Sequence, residues 1–339
     1  MIKMENTKRT IRKFTGIIAI CTIVSLIAAC GSTDQKGAIN VEKTPTATVE
    51  QTKVENNLKP DDLPQAMING DYELIYNSFS PDFKSQISLK DLAEMGAGYT
   101  TDVKSFQQHH EFKLNGANVI TWIDPSGLKA ISALFGENDS ITGMLMQPLT
   151  PATETDNKLS KLEYSLPFKG DWFVFWGGNN VLANYHYAHE SQRYAYDFVQ
   201  EKDGLSYEGD PTKNDSYFAF GQEVHAPADG TVVSVVNDIV DNEPVGVMNE
   251  KEPFGNVIVI DHGGEYSVLA HLKKDSVSVK PGDVVKRGQL VAQLGNSGNS
   301  SEAHMHFQVN DGKDLNSSKS INVQWKGIKS PVRGETVSN

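Results

Sequence analysis

Between residues 167 and 311 the chain sustains no long helical period. Short apolar runs, Thr231 to Val236, Asn256 to Ile260, Tyr266 to Ala270 and Gln289 to Leu294, alternate with clusters of Gly, Pro, Asn and Asp. Runs of this length between turn formers predict strands. With no helix between them to carry crossovers, the strands pair antiparallel, so this region is expected to be mainly β. One further run, Glu302-Ala303-His304-Met305-His306-Phe307-Gln308-Val309, carries two imidazoles two positions apart. Side chains alternate along a strand, so His304 and His306 share a face, where they can hold or serve a metal.

The chain has 339 residues, 38% of them apolar, and a formal net charge of -12, which leaves room for two domains plus tails. The charge becomes more negative once the basic N-terminus is set aside, which argues against nucleic acid as a partner, since phosphate binding needs clustered Lys and Arg. Lys3, Lys8, Arg9, Arg12 and Lys13 precede an apolar run from Ile17 to Ala29, too short to span a bilayer comfortably. That run ends in Leu26-Ile27-Ala28-Ala29-Cys30, which resembles the lipobox of bacterial lipoproteins. The resemblance implies a signal peptide over 1–29, a lipid on Cys30, membrane anchoring through it, and an extracytoplasmic location for the rest. The only other cysteine, Cys21, lies inside the signal, so any metal must be held by His, Asp or Glu.

Residues 30–60 are polar and aperiodic and read as a flexible tether. Residues 61–149 are expected to form a small α+β domain. Leu63, Met67, Leu74, Ile75 and Phe79 include helical spacings, Ser88-Leu89-Lys90-Asp91 resembles a helix start, and three strands follow around the Asp124-Pro125-Ser126-Gly127 turn. His109-His110 reads as a solvated loop pair. Residues 150–164 read as a linker, 165–328 as the mainly β domain, and 329–339 as a tail that frays. Ile321, Val323 and Trp325 mark one late strand.

Within the β domain, His304, His306, His271 and Asp197 are the candidates for chemistry, because a catalytic zinc takes three N or O ligands and keeps one position open. Asp197 can supply a carboxylate from a neighbouring strand. His225 and His262 sit in ordinary turn settings, and Ser297 lies in a glycine loop without a nucleophile elbow. Trp172, Phe173, Phe175 and Trp176 suit edge-strand packing, with glycan binding as the alternative.

Five segments occur in one fixed order: Ala226-Pro227-Ala228-Asp229-Gly230-Thr231-Val232-Val233, Gly255-Asn256-Val257-Ile258-Val259-Ile260, Ala270-His271-Leu272, Gly282-Asp283-Val284-Val285-Lys286-Arg287-Gly288-Gln289, and the loop before His304-Met305-His306. As an ordered set, over about residues 165 to 311, they resemble the lysostaphin-like, LytM-type zinc metallopeptidases of peptidase family M23. Two of the segments also resemble half-motifs of biotinyl and lipoyl carrier domains, but the hairpin-tip lysine those carriers need is missing. The family resemblance implies antiparallel β sheets of lysostaphin-like type and Zn2+ as cofactor. It implies His306 and Asp197 as ligands, His304 and His271 as the catalytic pair, and peptidoglycan as substrate.

The resemblance fails at one position. The family's first motif, His-x-x-x-Asp, needs histidine where this chain has Arg193, and a guanidinium has no lone pair to give. The segment Asn184-Tyr185-His186-Tyr187-Ala188-His189 offers replacements and resembles a subgroup in which Asn-x-His precedes Gln-Arg-Tyr-Ala. His186 is therefore expected as the third ligand, with His189 second. The expected function is a zinc endopeptidase acting on cell-wall peptidoglycan. The alternative is a degenerate, non-catalytic module that binds wall or regulates another hydrolase.

Overall fold

The computed structural model describes residues 58–151 and 153–339. The expected signal peptide, Cys30 and nearly all of the tether lie outside these residues. Among the described residues no helix is long and apolar enough to cross a membrane.

Four short helices come first: α1 (Leu63–Asn69), α2 (Tyr72–Asn77), α3 (Pro81–Gln86) and α4 (Leu89–Thr100). Ser80 and Ser88 cap α3 and α4, each side chain accepting a backbone N–H three residues on, from Phe83 and Asp91. An antiparallel sheet follows in the order β1 (Gln107–Leu114), β2 (Ala117–Ile123), β3 (Lys129–Phe135) and β4 (Ile141–Pro148). Asp124 closes the β2–β3 turn by accepting the N–H groups of Leu128 and Lys129. Leu63, Met67, Ile75 and Leu92 of the helices pack against Ile120, Trp122, Ile131 and Phe135 of the sheet. Each such side chain contributes roughly 1.5–3 kcal/mol on burial.

Strand β1 departs from expectation. His109-His110 is not a solvated loop pair, because His110, Phe112 and Leu114 alternate inward while Glu111 and Lys113 face water. A bulge between Gln108 and His110 sets that phase, and the buried His110 ring stacks on Phe112.

The rest of the chain builds a larger, mostly antiparallel sheet. In chain order its members are β5 (Leu159–Tyr164), β6 (Asp171–Trp176) and β7 (Tyr196–Val199), then, after the short β8 (Glu223–His225), β9 (Gly230–Val236), β10 (Asn256–Asp261) and β11 (Tyr266–Leu272). They continue with β12 (Val284–Val285), β14 (Met305–Asn310), β15 (Ser320–Trp325) and β16 (Thr336–Ser338), while β13 (Leu290–Gln293) pairs only with β8. The spatial order is β12-β9-β10-β11-β14-β7-β6-β16, with β15 joining β14 and β5. Two stretches expected to lack regular structure supply strands. The 150–164 stretch contributes β5, parallel to β15, and the 329–339 stretch contributes β16 against β6.

One core unites Phe168, Trp172, Phe198, Met305, Phe307, Val309, Val323 and Trp325. Another joins the two sheets. Phe112 and Leu114 of β1 pack with Phe173 and Val199, the Phe112 and Phe173 ring centroids lying 5.5 Å apart. The first sheet therefore braces the two strands, β6 and β7, beside the candidate site.

Candidate functional site

Strands β11, β14 and β7 lie side by side. The strand period turns Met305, Phe307 and Val309 into the core, which leaves His306, Gln308 and Asn310 on the opposite face. His306 stands directly opposite Asp197 of β7 on one side and Ala270 of β11 on the other. His304, just before β14, and His271, near the end of β11, complete a cluster of imidazoles, with ring centroids 4.7 Å apart between them and 5.6 Å between His271 and His306.

The fifth residue comes from outside the sheet. A single 3-10 turn, Tyr185–Ala188, is capped by Asn184 and buries His186 completely. Ligand atoms of His186, Asp197 and His306 all lie within 4.8 Å of one another. His189 is exposed and is not part of that group. Arg193 lies over the Tyr187 ring, 5.1 Å from its centroid, rather than among the ligand atoms.

Each histidine spends one ring nitrogen on an oxygen acceptor and turns the other inward. His186 Nδ1 donates to Asn184 Oδ1 at 2.8 Å, so Nε2, which is buried without a partner, faces Asp197 Oδ2 at 3.7 Å. His306 Nε2 donates to Gln308 Oε1 at 2.9 Å, and its Nδ1 faces Asp197 Oδ1 at 2.9 Å. His304 Nδ1 donates to the Glu302 carbonyl at 2.8 Å, which leaves Nε2 3.6 Å from Asp197 Oδ1. His271 Nδ1 donates to the Ser297 carbonyl at 2.8 Å. Its backbone is held in the left-handed region, φ 59°, by bonds from its N–H to Phe254 O and from Gly295 N–H to its own carbonyl. Such a conformation costs of order 1 kcal/mol in a non-glycine residue and persists only where surrounding contacts fix it.

The charge states follow from the surroundings. Burial alone would raise the Asp197 carboxyl, but His186, His304 and His306 around it hold it well below the usual carboxylate range. Burial pushes His186 down to about 3, despite the pull of Asp197, and pushes His271 well below its ordinary value, with His304 and His306 adding to the effect. An ionised Asp197 carboxylate beside a His186 imidazole kept neutral by burial is the protonation pattern that metal ligation requires. Two nitrogens and one oxygen with an orphaned buried lone pair suit a zinc-type cation.

The loop carrying these acceptors is tightly built. Gly255 and Gly298 both have positive φ and pack backbone to backbone, where any Cβ would collide. Ser297 Oγ donates to Leu272 O and accepts from Asn256 N, so this hydroxyl is a support and not a nucleophile. His262 has both ring nitrogens engaged, to Asp229 O and Ser267 Oγ, and lies outside the cluster, as does His225. Trp172 and Phe173 are buried in the cores, while Phe175 and Trp176 are half-buried beneath the Arg333 guanidinium.

Sequence reasoning missed the acceptors that orient the rings. Gln308 was within reach, since it lies two positions after His306 on the same strand face. Asn184 carried a weaker signal, its spacing to His186. Nothing in the sequence marked the carbonyls of Ser297 and Glu302.

The sequence profile of peptidase family M23 matches residues 214–318, a segment that holds His271, His304 and His306 but neither His186 nor Asp197. Over 90 residues, 26% of this chain and 18% of the relative, the chain is 34% identical to the peptidoglycan DD-endopeptidase ShyB of Vibrio cholerae. It is 33% identical over 97 residues to the murein hydrolase activator NlpD of Escherichia coli, covering 28% of this chain and 22% of that protein. It is 32% identical, also over 97 residues, to the lipoprotein NlpD of Yersinia enterocolitica, where the match covers 28% of this chain and 86% of the relative. The chain thus aligns with less than a quarter of the first two proteins and with most of the third. With the ordered motifs, the profile match and this third relative, the chain belongs to peptidase family M23.

Proposed function

We propose that this chain is a zinc-dependent endopeptidase that hydrolyses peptide bonds of bacterial peptidoglycan, held outside the cytoplasm by a lipid on Cys30. The observation that carries the reading is the convergence of three ligand atoms, from His186, Asp197 and His306, beside two further inward-facing imidazoles. The relative named a peptidoglycan DD-endopeptidase supports the substrate class, and the relative named a lipoprotein supports the anchor.

In this reading His186, Asp197 and His306 would hold the ion. When bound, zinc supplies a Lewis acid that polarises a carbonyl and lowers the pKa of water. His304, with Nδ1–H committed to Glu302 O, presents an unprotonated Nε2 to take the proton from the attacking water. His271 is committed in the same way to Ser297 O, which holds its ring beside His304 to stabilise the developing charge. Residues 61–149 and 165–328 act together as a bracing module and a peptidase module.

The match to relatives named murein hydrolase activators favours a second reading, a non-catalytic module that binds wall or stimulates another hydrolase. Metal analysis of the purified chain at neutral pH, combined with digestion of isolated peptidoglycan, separates the two. The enzyme reading expects stoichiometric zinc and new peptide termini. It also expects His304→Ala to keep the metal and lose cleavage, and His306→Ala to lose both. Zinc-free wild-type protein, with wall turnover unchanged in His306→Ala, would leave only the second reading.

A further inference from the structure

The His186 turn raises a problem of mechanics, since a ligand from a loop must be held as firmly as one from a strand. Asn184 solves it with one fully buried carboxamide. Its Nδ2 group lies 2.9 Å from Ala195 O, 3.3 Å from Arg193 O and 3.3 Å from Gly178 O. Facing three carbonyls, that end of the side chain must be the donor, so Oδ1 is fixed as the acceptor. Oδ1 then takes both the backbone N–H of His186, at 3.2 Å, and its ring Nδ1–H, at 2.8 Å.

We infer that Asn184 is the positioning residue that allows His186 to stand in for the ligand missing at Arg193. It does so in two ways. It ties the Tyr185–Ala188 turn to the backbone leading into β7, two residues before Asp197, and it locks the His186 ring as the Nδ1–H tautomer with the Nε2 lone pair aimed at the carboxylate. A lone pair facing an ionised carboxylate oxygen is repulsive unless a cation lies between, and Nε2 has no other partner. Gln308 does the same for His306. Its Nε2 donates to Ser191 O at 3.1 Å and Asn310 Oδ1 at 2.7 Å, which fixes Oε1 as the acceptor for the His306 ring. Two amides thus set the two tautomers, with no carboxylate behind either ligand. Acceptors of this kind behind ligating histidines fix ring orientation and typically influence metal affinity about 10–100-fold.

The inference rests on the zinc reading above, and its test uses the full chain with readouts other than cleavage. Zinc affinity is measured by competition with a chromophoric chelator, and the His186 tautomer from ring 15N shifts with and without zinc. Asn184→Ala is expected to weaken zinc about 10–100-fold and to release the Nδ1–H signature of His186, with the His304 ring unchanged. Asn184→Asp separates the two roles. It keeps the acceptor, so the tautomer stays, but it loses the donor, so amide exchange across 184–195 accelerates. Wild-type affinity and an unchanged His186 tautomer in Asn184→Ala would overturn the inference. Should that variant not fold, an unchanged exchange pattern or a lost tautomer in Asn184→Asp would do so. Failure of the wild-type chain to bind zinc would overturn the ligand reading instead, and the ring shifts of the metal-free chain would still decide whether Asn184 sets the tautomer.

Discussion

Asn115, at the tip of the β1–β2 hairpin, donates through Nδ2 to Oγ of Ser206 at 3.0 Å and accepts the Ser206 backbone N–H at 2.9 Å. Ser206 Oγ–H in turn has two acceptors, Asn115 Oδ1 and Glu302 Oε2, each 3.3 Å away. A residue of the first sheet thereby joins a hydrogen-bond chain that ends two residues from His304. Asn115→Ala removes all of its side-chain contacts with Ser206 and is expected to destabilise the chain by about 1–2 kcal/mol. Asn115→Asp is expected to cost more, because two carboxylates then compete for one hydroxyl proton. Denaturant unfolding of the three proteins at neutral pH checks the order, and equal midpoints for wild type and Asn115→Asp would show that the chain carries no energy.

Glu302 is buried, and its Oε1 has no partner. Burial pushes its carboxyl from an ordinary 4.5 to about 7, against the opposing bond from Ser206. Between those values the folded state holds a proton that the unfolded state has released, so stability falls as pH rises through the window. The loss approaches on the order of 3 kcal/mol by pH 8. Glu302→Gln cannot ionise, so it lacks this decline, and the difference between variant and wild type should shift in the variant's favour between pH 4.5 and 8. Parallel unfolding curves across that range would refute it.

Ligand removal gives a third expectation. A cation bound only by the folded state stabilises it by about 2.7 kcal/mol at a hundredfold excess over the dissociation constant. A chelator should therefore lower the Tm of the wild-type chain, and added zinc should restore it. His306→Ala and His186→Ala should start low and respond to neither, whereas His189→Ala should behave as wild type because His189 is exposed and outside the ligand group.

What could be read from the sequence was what strand periodicity encodes. His304 and His306 share a face, and Asp197 does lie on the neighbouring strand, because a two-residue repeat is local information. The sequence favoured His186 over His189 as the candidate to replace Arg193 only through the resemblance of its Asn-x-His segment. Both lie in one short turn, and which side chain points inward depends on Asn184 reaching carbonyls that follow in the chain. Strand β1 was hidden because its outward residues, Glu111 and Lys113, are those of a loop. Strand β5 was hidden because it pairs with β15, far along the chain. Asp156 shows the same limit. It lies in the stretch read as a linker, yet its carboxylate accepts the hydroxyls of Tyr187, within the His186 turn, and of Tyr194, just before β7.

His110 supplies the last expectation. Its ring is buried between the two sheets, with Nδ1 3.0 Å from His109 Nδ1, Nε2 without a partner, Phe112 stacked on it and the Arg333 guanidinium nearby. Burial, then Arg333 and His109, push its pKa from 6.5 down to about 3. Between those values the unfolded chain takes up a proton that the folded chain refuses. This contribution to stability is therefore complete above pH 6.5 and is lost as pH falls towards 3, by at most about 1.4 kcal/mol for each pH unit. His110→Phe replaces the ring with one that can stack on Phe112 and cannot charge. Its unfolding free energy should fall less steeply than the wild type's from pH 6.5 downward. Because His186 and His271 also resist protonation, the comparison is made as the difference between variant and wild type, both metal-free. A difference that stays constant between pH 6.5 and 4 would mean that His110 is not held neutral at the junction of the sheets.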